Sequence, residues 1–156
     1  MTPIERAYAV AWKFQQVGDW AEAERLYRAI LQVDPRQADA WGRLGAMCHL
    51  QGRWDEAIAS YRRALELRPN DADAANNLGV ALVAAGRPED ALEPLRQALR
   101  QLPHDAHVHF NLGLAYYQLR RREPAAASFR RALELQPGYP EAEEYLQRTL
   151  AHEGTS

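Results

Sequence analysis

Residues 38–71, ADAWGRLGAMCHLQGRWDEAIASYRRALELRPND, set a pattern of bulky, small and helix-ending residues that the chain repeats every 34 positions. Within this stretch Trp41, Leu44, Gly45, Gly52, Ala57, Tyr61, Ala64 and Pro69 mark slots where side-chain size or backbone freedom is restricted. One stride forward stand Ala75, Leu78, Gly79, Gly86, Ala91, Leu95, Ala98 and Pro103. A second stride reaches His109, Leu112, Gly113, Arg120, Ala125, Phe129, Ala132 and Pro137. One stride back gives Ala7, Val10, Ala11, Gly18, Ala23, Tyr27, Ile30 and Pro35, a weaker first copy that keeps the spacing and loses some small residues. A fixed internal period of this length is the signature of a stacked repeat architecture.

Each copy reads as two helices. Trp41, Leu44, Met47 and Cys48 recur at helical spacing and end near a glycine, which defines a first helix. The second begins after Gly52 with Trp54, lines Ala57, Ile58, Tyr61, Ala64 and Leu65 along one face, and stops before Pro69. The short glycine-containing turn makes the pair antiparallel. Gly45, Gly79 and Gly113 lack a side chain where the first helix must approach its partner, and Ala57, Ala91 and Ala125 do the same for the second. Tyr27, Tyr61, Leu95 and Phe129 fill the space left. A helix pair cannot cover its own apolar face, so stacking on the next pair supplies stability. Asp71 or Asp73 is expected to cap the third unit and Asp105 the fourth. Pro94 falls inside a second helix, where the lost donor predicts a bend or local opening, whereas Pro124 falls near a helix start and is easily accommodated.

This pattern resembles the tetratricopeptide repeat family over about residues 4–139. The resemblance implies an all-α, right-handed α-solenoid of four helix-turn-helix units at 4–37 (degenerate), 38–71, 72–105 and 106–139. Residues 140–152 then read as a capping helix made polar by Glu141, Glu143, Glu144, Gln147 and Arg148, with 153–156 as a tail expected to fray. The family also implies binding of a protein or peptide in a concave groove lined by the first helices. Carried onto this chain, that groove takes Tyr8, Trp12 and Gln15 from the first unit and Asp39, Arg43, Ala46 and His49 from the second. The third supplies Asp73, Asn76, Asn77, Val80 and Val83, and the fourth His107, Phe110, Asn111, Leu114, Tyr117 and Gln118.

Asn77 and Asn111 stand one repeat apart, and each could hold an extended backbone amide through its paired donor and acceptor. Their setting is similar to the asparagine ladder of O-linked N-acetylglucosamine transferases. Ala9 and Arg43 replace asparagine in the first two units, so such a ladder has two rungs, and ordinary repeat residues facing water are the other reading. The carboxylate clamp found in part of the family needs cations at groove positions. Here the sole lysine, Lys13, lies off those positions and only Arg43 offers a charge, which argues against a clamp.

Nineteen basic and 21 acidic residues leave a net charge of -2, so no global field favours nucleic acid or an anionic membrane, and neither is expected as a partner. Cys48 is the single cysteine, which excludes an internal disulfide. It shares the slot of Phe14, Leu82 and Tyr116 and reads as a small buried hydrophobe. The opening segment is charged early and lacks a signal-like apolar run, which points to a cytoplasmic protein. No window reaches the ~20 apolar residues of a membrane span.

His104, His107 and His109 alternate at a spacing that splays them over a helix, so no metal site is expected, and His109 takes the packing slot of Trp41. Arg120, Arg121 and Arg122 are expected to close the fourth unit's first helix, where cations complement the dipole, with contact to an anionic partner as the alternative. Trp20 and Trp54, just after the glycine turns, read as packing residues. No phosphate loop, nucleophile-base pairing or cofactor motif emerges. The chain therefore reads as a non-enzymatic scaffold for a protein segment. The alternatives are an N-terminal recruiting or regulatory module of a larger enzyme of the glycosyltransferase or sulfotransferase type, and weak self-association.

Overall fold

The structure, a computed structural model, describes residues 1–151. Among them run nine α helices and no strand: α1 (Pro3–Gln16), α2 (Trp20–Val33), α3 (Ala38–Leu50), α4 (Trp54–Leu67), α5 (Ala72–Ala84), α6 (Pro88–Gln101), α7 (Ala106–Gln118), α8 (Arg122–Leu135) and α9 (Pro140–Ala151). The expected all-α class is thus observed. The expected fraying tail, and the last residue of the expected capping helix, lie outside the described residues.

The stride seen in the sequence returns as identical helix ends. Gly18, Gly52 and Gly86 take φ of 79°, 73° and 74°, each the second residue past the end of α1, α3 and α5. At each, the next amide closes back onto the helix, as Asp19 N–H does to Phe14 C=O and Arg53 N–H to Cys48 C=O, both at 2.9 Å. This left-handed closure satisfies carbonyls that a helix otherwise leaves open, and glycine enters it without steric cost. The fourth turn keeps the same bonds with Arg120 at φ 59°.

Four of the starts, those of α1, α2, α5 and α7, are capped by side chains. Thr2 forms a reciprocal capping box with Glu5; Asp19 accepts from Glu22 N–H, Asp71 from Ala74 N–H at 3.0 Å, and Asp105 from the amides of His107 and Val108. Each such cap satisfies a donor the first turn leaves unpaired. The expected local opening at Pro94 does not occur. Helix α6 runs unbroken from Pro88 to Gln101 with Pro94 inside it, because the flanking Leu92 and Leu95 are both buried and hold the segment in place.

Two compact units are found, Met1–Asn77 and Leu78–Ser156. In both, the core is built from the large-against-small slots. A methyl group added at Gly45 would stand 2.8 Å from the Tyr61 ring, one at Gly79 2.4 Å from Leu95, and one at Gly113 2.6 Å from Phe129. Tyr27, Leu95 and Phe129 are fully enclosed, as are the alanines Ala23, Ala57, Ala91 and Ala125 beneath them. In the first repeat Ala11 takes the glycine slot and is itself buried, so this copy admits one methyl group where the others admit none.

Candidate protein-binding surface

The residues expected to grip a partner lie on α1, α3, α5 and α7. In the first unit, Trp12 is 45% exposed, with the Arg43 guanidinium 4.9 Å above its ring. Arg43 therefore replaces the expected asparagine with a cation stacked on an exposed aromatic, a contact favoured by the ring's negative face. Asp39, also exposed, receives two hydrogen bonds from Arg68, at 2.7 and 3.4 Å. His49 is half-buried edge-on against Trp54, ring centroids 4.9 Å apart, and that burial lowers its pKa. Gln15 accepts a hydrogen bond from the Tyr27 hydroxyl at 3.0 Å. At the start of α5, Asp73 and Asn77 are exposed and Asn76 half-buried.

In the second unit, Val80, Asn111, Leu114 and Tyr117 are half-buried, and His107 and Gln118 are exposed. Phe110 corrects the sequence expectation. It is buried at 9% exposure, its ring 5.0 Å from Tyr139, 5.7 Å from Phe129 and 5.9 Å from Tyr145, so it belongs to the core. Helix α9 brings Tyr145 over it, and Tyr117 stacks edge-on against the same Tyr145 at 5.3 Å.

The histidines part company as their spacing predicts. His107 Nδ1 lies 3.0 Å from the Tyr139 hydroxyl, and His109 Nε2 lies 2.9 Å from the Pro103 carbonyl. His109 reproduces the bond from Trp41 Nε1 to the Pro35 carbonyl, also 2.9 Å, two repeats earlier. That identity of partner explains how an imidazole stands in an indole's slot.

Two features lie outside what the sequence suggested. The first is a charged network between α2 and α4. Glu24, only 9% exposed, accepts hydrogen bonds from Arg28, Gln51 and Arg53, while Glu56 takes further bonds from both arginines. Burial alone would raise the Glu24 pKa; the bonds from Arg53, Gln51 and Arg28 outweigh it and leave the carboxyl below its ordinary value. Donor atoms of Glu24, Cys48 and Glu56 lie within 4.8 Å of one another, a spacing a metal could use, but both carboxylates are already held by guanidinium groups. Cys48 is fully buried, and its thiol pKa is pushed up by that burial.

The second feature is a cavity of about 430 Å³ in the second unit, lined by Tyr117, Gln118, Arg120, Arg122 and Thr149. Tyr117 and Gln118 belong to the expected surface; the two arginines and Thr149 do not. The arginine run also departs from its expected place. Helix α7 stops at Gln118, so Arg121 is the residue preceding α8 and Arg122 its first residue. These cations sit at the positive end of a helix dipole, the opposite of the favourable placement. Arg121 is partly compensated by Glu89, 2.8 Å away.

Comparison with known proteins yields a family and a fold. The family model described as the cilia and flagella-associated protein 70 C-terminal domain matches residues 8–151. No curated protein matches the chain. MamA (residues 41 to the end) from Desulfovibrio magneticus RS-1 superposes with a TM-score of 0.92 at 21% identity, over 96% of this chain and 85% of that one. YrrB, described as a TPR protein with an unusual peptide-binding site, gives 0.82 at 23% identity, over 94% and 76%. PilW, a widely conserved type IV pilus biogenesis factor, gives 0.87 at 25% identity, over 99% and 71%. These likenesses establish the tetratricopeptide α-solenoid fold class.

Proposed function

Because the chain belongs to the family of the cilia and flagella-associated protein 70 C-terminal domain, a tetratricopeptide-repeat family, we propose that it is a non-enzymatic scaffold that holds an extended segment of another protein. The observation that carries this reading is a division of labour along each repeat. The second-helix residues Tyr27, Tyr61, Leu95 and Phe129 are consumed by packing, while the first helices keep Trp12, Asp39, Arg43, Asp73, Asn77, His107 and Gln118 exposed. Polar groups left at the surface of rigid helices can meet backbone amides of a guest, and Val80, Leu114 and Tyr117 offer half-buried apolar contact beside them. A related fold with a peptide-binding site, YrrB, adds precedent for this use of the architecture.

The test is partner recovery from cell extract with wild-type protein and with the double variant Asn77→Ala, Asn111→Ala. The proposal expects the variant to keep its helical content and lose most of the recovered partner. Equal recovery would remove both asparagines from the role.

A further inference from the structure

The first and last helices each carry a face that nothing among the described residues covers. On α1, Arg6, Val10, Lys13 and the cap residue Val17 fall three or four positions apart and so share one side of the helix. All four are exposed, the valines at 42% and 78%. One stride on, the slots of Arg6, Val10 and Lys13 hold Ala40, Leu44 and Met47 on α3, and three strides on they hold Val108, Leu112 and Ala115 on α7. All six of these are buried, α3 packing on α2 and α7 on α6. The bare side of α1 is therefore a stacking side with no helix pair upon it. Neither Arg6 nor Lys13 forms an ion pair among the described residues.

The open side of α9 is a different one. Glu143, Gln147 and Leu150 stand one stride after His109, Gly113 and Tyr116, and Gly113 is where α7 meets Phe129 of its own second helix. Among the described residues no second helix follows α9. A groove of about 380 Å³ lies there instead, lined by Leu133, Pro137, Glu143, Leu146, Gln147 and Leu150. Glu143 is the one charged residue of that lining; it is exposed and, like the α1 cations, outside every ion pair among the described residues.

A stripe of valine and cation thus stands at one end of the chain and a trough of leucine and carboxylate at the other. We infer that the two pair between copies of this chain, α1 of one copy lying in the α8–α9 groove of another. Val10 and Val17 pack on Leu146 and Leu150, and Arg6 and Lys13 are drawn to Glu143. Charge selects this pairing. Two α1 faces would set cation against cation, and two α9 faces Glu143 against Glu143, so only the head-to-tail contact escapes repulsion. Such a contact leaves an unused face at each end of a pair, so association continues past two copies unless it closes on itself. One helix face buries little against the ~800 Å² per partner of stable complexes, so the contact is weak and concentration-dependent. It uses none of the residues assigned to the scaffold's guest and does not rest on that reading.

The experiment is sedimentation velocity on the full chain at low salt, from about 10 μM to about 1 mM. The expected result is a weight-average mass that climbs above the 17.7 kDa monomer with concentration, and climbs less when salt is added. Glu143→Lys, and separately Arg6→Glu with Lys13→Glu, should keep their helical content and weaken association by about tenfold or more. Mixing these two variants restores opposite charges across every contact, so the mixture should associate as wild type does. A wild-type chain that stays monomeric throughout, association untouched by either variant, or a mixture no stronger than its components would each overturn the inference. The asparagine double variant should associate as wild type does, so failure here and failure of the scaffold reading are told apart.

Discussion

In the first unit the space between second helices is crossed by guanidinium-carboxylate pairs around Glu24 and Glu56, whereas in the second unit α9 closes the core with Tyr145 against Phe110 and Phe129, and Tyr139 against Phe110. The backbone beneath is the same in both, with the same turn bonds and the same small residues beneath large ones. What the repeat demands is therefore volume and backbone freedom at a few slots. Between those slots, ion pairs and stacked rings are interchangeable ways of filling a seam.

The largest test of that contrast removes a ring. Phe129→Ala should cost about 3–5 kcal/mol by emptying the centre of the aromatic group, with amide exchange accelerated first in α7, α8 and α9. A loss shared evenly by α1 to α4 would mean that the units do not differ as described.

Next comes the shared slot. Gly113→Ala drives a methyl group to 2.6 Å from the Phe129 ring and should cost roughly 1–3 kcal/mol in denaturant midpoint. The mirror change, Ala11→Gly, should cost about 1–2 kcal/mol, from lost helix propensity and the loss of one buried methyl group. A Gly113→Ala protein as stable as wild type would show that the seam gives way more easily than its close contacts imply.

The polar seam answers to pH. Glu24 in the folded chain has its pKa lowered, so its contribution is fully present above the ordinary value of 4.5 and drains away as pH falls below it toward the folded pKa. Glu24→Gln should lower stability near neutral pH by about 1–2 kcal/mol and flatten the acid limb of an unfolding curve. An acid limb of unchanged steepness would assign it to other carboxylates. The smallest effect is a gain: Arg120→Gly should stabilise by about 1 kcal/mol, read as a higher thermal midpoint.

Much of the fold was legible because its determinants are local and periodic. Gly45, Gly79 and Gly113 announce a close approach, and the prolines at 35, 69, 103 and 137 announce where each second helix must already have ended. The candidate surface was less legible. Phe110 shares its slot with Asn76 and Tyr8, so the repeat register alone places it on an open face; only α9, folding Tyr145 across it, turns it inward. The Glu24 network joins residues 29 positions apart, off the repeat stride, so no slot comparison pairs them. The arginine run was misplaced by a single turn, because a non-glycine residue took the left-handed position where the sequence signal for a helix end is glycine. Pro94 shows the reverse case, a strong local breaker overruled by the buried leucines on either side.

Cys48 gives the first unit a built-in clock. With no exposed surface and its thiol pKa raised, it cannot meet an alkylating reagent until the helices around it, α2 and α4 among them, move away from α3. The rate at which the label arrives therefore counts breathing events of those helices in the otherwise intact chain.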